Sequence, residues 1–295
     1  MLSLDTKDMS PVQLQNYLQY AIAPRPICFA STIDAAGNIN LSPFSFFNMF
    51  SSNPPTCVFS PARRVRDNTT KHTLENVLEV PECVINIVNY DIVQQTSLAS
   101  TEYAKGVNEF EKAGLTMIAS ELVRPPRVAE APVQLECIVK QVIPLGDQHG
   151  AGNLVVAEIV KIHIREEILD AEGKIDQHKI DLVARLGGDW YCRITEDNLF
   201  KVPKPLTTLG IGVDALPSSI RQSTILSGND LGQLGNTEQM PDDATCARMM
   251  EHAEVRSIMD ATIGDEGTRT IALHELAKKL ISQGRTLDAF AVLML

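Results

Sequence analysis

The sequence predicts a mainly β domain with peripheral helices, followed by a helical extension. Apolar runs flank an Asp-Ala-Ala-Gly-Asn turn at residues 34–38, and this pattern is typical of a β-hairpin in which Gly37 takes a positive φ. The composition changes near residue 200, where prolines and glycines replace the apolar runs and a helical periodicity follows. We therefore predict a β domain over residues 1–200 and an extension over 201–295 that begins as a linker and continues as helices.

The overall composition argues against several classes of protein. A hydrophobic fraction of 44% and a charged fraction of 21% are ordinary for a soluble globular protein. The net charge of −11 argues against nucleic acid as the main partner, because contacts to phosphates need a basic face. No apolar run is long enough to span a membrane, and the N-terminus lacks the pattern of a signal peptide. We expect a cytoplasmic protein.

Common catalytic motifs are missing from the sequence. The histidines and cysteines do not show the spacing of a metal site, and neither GxSxG nor a Rossmann GxGxxG is present. We therefore predict no metal centre, no serine hydrolase and no Rossmann nucleotide site. The widely spaced cysteines are expected to be buried free thiols; they are Cys28, Cys57, Cys83, Cys137, Cys192 and Cys246.

Local signals predict the elements of the first domain. Ser10-Pro11 begins a helix, because serine caps a helix N-terminus and proline is tolerated at the first helical position. Residues 83–88 are rich in β-branched side chains and predict a buried strand. His163 alternates with isoleucines, which predicts a solvent-facing imidazole. The other predicted elements are strands over 27–33, 39–50, 56–60, 133–143 and 154–165, and helices from near Thr73, over 91–103 and before Gly114.

The extension is predicted to end in two helices. Gly284 ends the first of them and Thr286 begins the second. Such a tail is typical of a core or an oligomer contact, and a binding site for another protein is the alternative. The positions that follow the i, i+3, i+4, i+7, i+8 spacing of one helix face are Leu273, Leu276, Ala277, Leu280 and Ile281.

The strand predicted over residues 39–50 has an unusual composition. Serine and asparagine side chains alternate with phenylalanine rings over 42–50, and Asn-Pro-Pro at 53–55 ends the strand. It is too apolar to be a solvated face. Small polar groups beside aromatic rings instead suit a flat ligand with polar edges.

A basic turn follows the third strand. Arg63, Arg64, Arg66 and Lys71 lie within nine residues, directly before the helix predicted from near Thr73. Free backbone N–H groups and the helix dipole make such a helix start a suitable place for a phosphate. The alternative is an ordinary exposed basic loop.

Together these motifs resemble one known family. PRP, then Ser31-Thr32, the DAAGN turn, SPFSFFN, NPP and FSP, and finally Lys71-His72-Thr73 are similar to the flavin reductase-like family of FMN-binding split barrels, flavoredoxin type. The resemblance covers about residues 10–200, and His72 departs from the acidic residue expected there. It implies a split β-barrel of six antiparallel strands with Greek-key topology and FMN at a homodimer interface.

The same resemblance implies a function. The chain would be an oxidoreductase in which NADH or NADPH reduces the flavin, or an electron-transfer flavoprotein. The alternatives are a non-catalytic FMN carrier that serves a protein partner, and a split barrel with another flat cofactor or haem. Because the flavin carries the reactivity, no residue is expected to act as catalytic acid, base or nucleophile.

The resemblance also implies the cofactor-binding residues. Asn108 belongs to an NEF…AGL element beside the flavin, or else to a simple capped helix, and Trp190 contacts the flavin or else packs in a core or dimer interface. The candidates along the ring and ribityl chain are Thr32, Ser45, Phe46, Phe47 and Asn48; those nearer the phosphate are Ser60, Lys71 and Thr73; the others are Ser31, Arg63, Asn108 and Trp190.

Overall fold

The structure is a computed structural model that describes residues 1–203, 205 and 207–295. It divides into two compact units, Met1–Leu199 and Phe200–Leu295. Lys204 and Leu206, which fall within the predicted linker, lie outside the described residues. In the described part of the chain, no helix is both long and apolar enough to cross a membrane.

The first unit is built on a seven-stranded antiparallel sheet with the strand order β3-β2-β6-β9-β10-β5-β4. Two small sheets, β1-β11-β12 and β7-β8, accompany it. The strands are β1 Arg25–Pro26, β2 Cys28–Ile33, β3 Ile39–Phe44, β4 Phe47–Ser52, β5 Pro55–Phe59, β6 Glu82–Ile87, β7 Met117–Ile118, β8 Arg127–Val128, β9 Val133–Pro144, β10 Asn153–Ile164, β11 Val183–Arg185 and β12 Tyr191–Arg193. The helices are α1 Pro11–Ala21, α2 His72–Glu79, α3 Val93–Leu98 and α4 Glu109–Ala113.

The continuous strand predicted over residues 39–50 is wrong, because the chain forms two strands there. Phe44 is buried in the same hydrophobic cluster against which Phe47 packs. Residues three apart on one strand point to opposite faces, so the strand must break between these two rings. β3 therefore pairs with β2 at one edge of the sheet, and β4 pairs with β5 at the other. Ser45 and Phe46 connect these opposite edges, so the sheet curls into a barrel, and the predicted split barrel is confirmed. Its sheet has seven strands rather than the six that the resemblance implies, because the 39–50 segment divides into two.

The barrel interior is filled by aromatic, aliphatic and thiol side chains. The rings of Phe44 and Phe59 pack with their centroids 5.2 Å apart. All six cysteines are free, as predicted. Four are buried in this interior, namely Cys28, Cys57, Cys83 and Cys137, whereas Cys192 and Cys246 are partly exposed.

Several local predictions are confirmed by the backbone geometry. α1 begins with a capping box in which the Ser10 hydroxyl accepts from Gln13 N and the Gln13 side chain accepts from Ser10 N. In the 34–38 turn, Gly37 has φ +92° and Asp34 Oδ1 accepts a hydrogen bond from Asn38 N at 2.8 Å. Gly114 ends α4 with φ +65°.

Two predictions about polar segments are wrong. The helix predicted over 91–103 is shorter, because a 3-10 turn over Tyr90–Ile92 leads into α3, which ends at Leu98. His163 does not face solvent: its Nε2 lies 2.7 Å from Oε1 of the fully buried Glu136. The bulge between Ile159 and Lys161 shifts the register of β10 on β9, so simple alternation does not describe this strand.

The second unit is helical and has its own core. The face predicted for α9 is buried, and α10 contributes Ala289 to Leu293 to the same cluster. The termini predicted for both helices agree with the structure. The helices of this unit are α5 Ser218–Arg221, α6 Gly228–Gly235, α7 Asp243–Met250, α8 Ala253–Ala261, α9 Glu266–Ser282 and α10 Thr286–Leu293.

Candidate functional site

A cavity of about 680 Å³ opens on the first unit. One part of its lining is apolar and comes from α1, and another part is basic and comes from the turn after β5. The residues that give the cavity its character are Leu14, Leu18 and Ile22 on the apolar side, Phe46, and Arg63, Arg64, Arg66, Lys71, Glu102 and His149 on the polar side.

The basic wall is held in place by hydrogen bonds of its own turn. Arg63 donates through Nε to Asn68 Oδ1 and through Nη2 to the Asn68 carbonyl, both at 2.8 Å. Asn68 takes a positive φ of 60°, which closes the turn. Arg64 donates through Nη1 to Thr69 Oγ1 at 2.8 Å. These two arginines therefore serve the turn as well as the cavity.

Lys71 differs from these arginines, because no carboxylate of the described residues forms a direct ion pair with it. Its side chain lines the cavity with Nζ 5.8 Å from the centroid of the Phe44 ring. Within the described part of the chain, no carboxylate lies within 4.0 Å of this ammonium group. Burial lowers the pKa of Lys71, and the charge of Arg64 lowers it further, while Glu102 acts in the opposite direction. Lys71 is thus a partly buried cation without an anionic partner.

The start of α2 lies directly behind Lys71. Lys71 is the N-cap residue, and no side chain caps the free N–H groups of the first turn. Thr73 does not act as a cap, because its hydroxyl donates to Asn40 Oδ1 at 2.7 Å. Asn40 donates in turn to the buried carboxylate of Glu109 at 2.9 Å, and Leu41 N donates to the same carboxylate. Burial raises the pKa of Glu109. This network fixes the helix start against β3 and α4.

The apolar wall is a helix that buries none of its own residues. Arg25 holds the end of this helix: its guanidinium donates to the carbonyls of Gln19 at 2.6 Å, of Ile22 at 2.8 Å and of Leu186 at 2.7 Å. Phe46, at the bend between β3 and β4, keeps 44% of its surface exposed. The exposed side chains of α1 and Phe46 therefore form an apolar surface in the same cavity as the basic turn.

Only some of the residues predicted for the cofactor meet at this cavity. Phe46, Arg63 and Lys71 line it. Ser60 and Ser45 lie behind its walls, where Ser60 Oγ accepts from Asn153 N at 3.1 Å and Ser45 Oγ accepts from Arg25 Nε at 3.4 Å. Four other predicted residues lie in or against the barrel. Phe47 packs on its core, and Thr32 accepts a hydrogen bond from Asn76 at 3.2 Å. The Thr73 hydroxyl donates to Asn40, and Ser31 Oγ is buried without a hydrogen-bond partner among the described residues.

Three predicted residues lie away from the cavity in this chain. Asn48 is exposed on the edge strand β4, where its Oδ1 accepts from Met49 N at 2.8 Å. Asn108 caps α4 by accepting from Phe110 N at 3.1 Å. Trp190 lies in the turn between β11 and β12 with 70% of its surface exposed. Their contact with a cofactor stays a prediction.

Sequence reasoning missed several residues of the cavity. α1 was predicted as a helix, but nothing in its sequence indicated that it would line a site. Arg25 stood out only as a residue between prolines. His149, whose Nδ1 lies 2.8 Å from the Val65 carbonyl, comes from the β9–β10 turn and had no local signal. Glu102 falls in the segment that was wrongly predicted as helix.

Comparison with known proteins places this site in a family context. Residues 20–179 match the model of the flavin reductase like domain. Component B of nitrilotriacetate monooxygenase from Bacillus cereus superposes with a TM-score of 0.64 at 29% identity, over 68% of this chain and 98% of that protein. The 2-nitrobenzoate 2-nitroreductase of Pseudomonas fluorescens gives 0.60 at 27% identity, over 71% and 100%.

A third similar structure has a split barrel domain. A flavin reductase with a split barrel domain from Shewanella frigidimarina superposes with a TM-score of 0.58 at 25% identity, over 69% of this chain and 100% of that one. About 30% of this chain therefore has no counterpart in these three proteins. The family match spans more than half of the 295 residues and includes β1 to β10, the Ser/Phe segment and the basic turn. The chain belongs to the flavin reductase like domain family.

Proposed function

We propose that the chain is an FMN-binding oxidoreductase in which NADH or NADPH reduces the flavin. The family and its nitroreductase and monooxygenase-component relatives support flavin-dependent redox chemistry. The observation that carries the assignment to this cavity is Lys71, a partly buried cation without an acidic partner at the start of α2. A ligand with a phosphate group would supply the missing anion.

The polar end of the cavity fits a phosphate. Lys71 offers a charge, and Arg63 and Arg64 add positive potential from the same wall, while the uncapped N–H groups at the start of α2 lie behind the segment 99–103. Arg64 Nε is buried and lies 3.2 Å from Glu102 Oε1 without a well-directed hydrogen bond. This donor would serve an anion that takes the place of Glu102.

The apolar end of the cavity fits a flat ring system. Phe46 presents an exposed ring, and Leu14 and Leu18 of α1 line the same cavity. Ligand pockets of several hundred Å³ accommodate molecules of the size of FMN, and this cavity has about 680 Å³. Bound flavin would supply hydride and electron transfer, while these side chains orient the ring and keep water from one of its faces.

We also propose that the protein is a homodimer that pairs through α1 and β4. Val12, Tyr17 and Ile22 are each more than half exposed, and so are Met49 and Phe50 on the edge strand β4. An apolar surface of this extent beside an unpaired strand edge is typical of an interface. A second copy would cover the open side of the cavity.

The dimer is tested by the molar mass in solution. Light scattering is expected to give twice the chain mass of 32.4 kDa. Phe50→Asp should shift the protein towards the monomer, because it places a charge in the apolar surface. Leu145→Asp makes the same change in the exposed β9–β10 turn and should leave the mass unchanged. A monomeric wild-type protein at micromolar concentration would refute this interface.

The reductase activity is tested by mixing protein, FMN and nicotinamide without oxygen. We expect FMN to bind, which a titration detects by flavin fluorescence, and NADH or NADPH to bleach the bound flavin faster than free FMN. Firm binding without bleaching by either nicotinamide would leave an FMN carrier that receives electrons from a protein partner. Failure to bind FMN would refute both functions.

A further inference from the structure

Glu102 brings a carboxylate into the basic wall of the cavity. Its Oε1 lies 3.2 Å from Arg64 Nε, and its Oε2 lies 2.8 Å from Arg66 Nη2. Arg64, Arg66, Lys71 and Glu102 all line the same cavity. One carboxylate therefore bridges two of the cations that an incoming anion would meet.

The segment that carries Glu102 also covers the start of α2. Residues 99–103 lie over Lys71–Thr73 and leave a space of about 20 Å³ between them. A space of this size holds about one water molecule. The helix start therefore has no room for a phosphate while Glu102 keeps its segment against Arg64 and Arg66.

The ion pair of Glu102 with Arg66 is exposed and weak, and its contact with Arg64, whose side chain is 18% exposed, lacks a well-directed hydrogen bond. The side chains of Glu102 and Arg66 are 48% and 75% exposed, and exposed ion pairs contribute little to stability because water and salt screen them. Arg64 retains its hydrogen bond to Thr69 when Glu102 leaves. An arriving anion can therefore replace the carboxylate while the basic turn keeps its shape.

We propose that Glu102 is an internal competitor for the phosphate-binding wall, so that a phosphorylated flavin must displace its carboxylate in order to bind. This inference rests on the proposed function and adds a residue that sets the affinity. Glu102 lowers the affinity for FMN but leaves that for riboflavin, which has no phosphate, unaffected. It thereby favours exchange of FMN between the protein and solution.

The test compares two flavins with three proteins. FMN and riboflavin are titrated by fluorescence quenching into wild-type protein, Glu102→Gln and Glu172→Gln. Glu172 is an acid of the 170–174 hairpin that pairs with Lys174 and does not line the cavity, so its variant makes the same change in net charge elsewhere. We expect Glu102→Gln to lower the Kd of FMN about three- to tenfold, in line with one weak ion-pair contribution, and to leave that of riboflavin unchanged.

The outcomes separate this inference from the proposed function. If the wild-type protein fails to bind FMN, the proposed function is wrong, and the role inferred for Glu102 is wrong as well. If FMN binds but Glu102→Gln binds it equally or more weakly, the carboxylate supports the wall, and only the inference is overturned. The inference would also be overturned if Glu102→Gln increased the affinity for riboflavin as much as that for FMN. The same holds if Glu172→Gln increased the affinity for FMN equally, because neither effect involves displacement of Glu102 by phosphate.

Discussion

Replacing Lys71 with alanine is expected to weaken FMN binding by about 1–3 kcal/mol, or roughly five- to 150-fold in Kd. The reason is that Lys71 is a partly buried cation whose charge no described carboxylate neutralises. Lys71→Arg should retain much of the affinity, because it keeps the charge. Lys140→Ala is the control, since Lys140 pairs with Glu158 outside the cavity. Titration of FMN into the four proteins measures the effect.

The same residue predicts a pH dependence. Lys71 is charged below its pKa, which burial lowers from the usual value, and a phosphate monoester is fully ionised above about pH 7. FMN affinity should therefore fall as the pH rises through the lowered pKa of Lys71, earlier than an ordinary lysine would allow. Lys71→Arg should remove this fall. An equal FMN affinity in wild type and Lys71→Ala at neutral pH would refute the placement of the phosphate.

The sequence indicated which residues form the basic wall of the site, but not how these residues are arranged in space. The basic cluster was visible because its arginines and Lys71 are close in sequence, and a helix was predicted directly after it, from near Thr73. The sequence did not show which cations would be free. Arg63 donates two hydrogen bonds to Asn68, a residue with positive φ, whereas the absence of a carboxylate within 4.0 Å of Lys71 Nζ among the described residues depends on contacts between distant parts of the chain.

For the fold, too, features set by neighbouring residues were predicted and features set by distant contacts were not. Turns, caps and the α9 face depend on neighbouring residues and were predicted. The break at Ser45 and Phe46 depends on barrel closure, which places Phe44 and Phe47 in one core although their spacing suits opposite faces. Long-range pairing also explains why His163 does not face solvent, because its partner Glu136 lies on the adjacent strand β9, 27 residues earlier. Alternation along a single strand contains no information about such a partner.

Removing the Glu136 carboxylate is expected to have the largest effect on stability. Glu136 is fully buried and accepts hydrogen bonds from Glu121 N at 2.9 Å and Leu122 N at 2.6 Å, while His163 Nε2 lies 2.7 Å away. Glu136→Ala leaves these groups without their acceptor, and breaking such a buried pair typically costs about 3–5 kcal/mol. Glu136→Gln should cost less, because its amide oxygen can still accept one of the bonds. Urea unfolding of the full chain measures both.

The charge of Glu136 adds a pH dependence to this prediction. Burial alone would raise its pKa, but the two backbone N–H groups and His163 outweigh burial, so the pKa is lowered. A carboxyl group with a lowered pKa stabilises the fold above its unfolded pKa of about 4.3, and this contribution is lost as the pH falls towards the folded value. The wild-type protein should therefore lose more stability below about pH 4.3 than Glu136→Gln does. Glu121→Gln, a change at the exposed acid 3.9 Å from His163, is the control and should retain most of the acid sensitivity. Equal acid sensitivity in wild type and Glu136→Gln would show that the buried carboxylate does not contribute to stability through its charge.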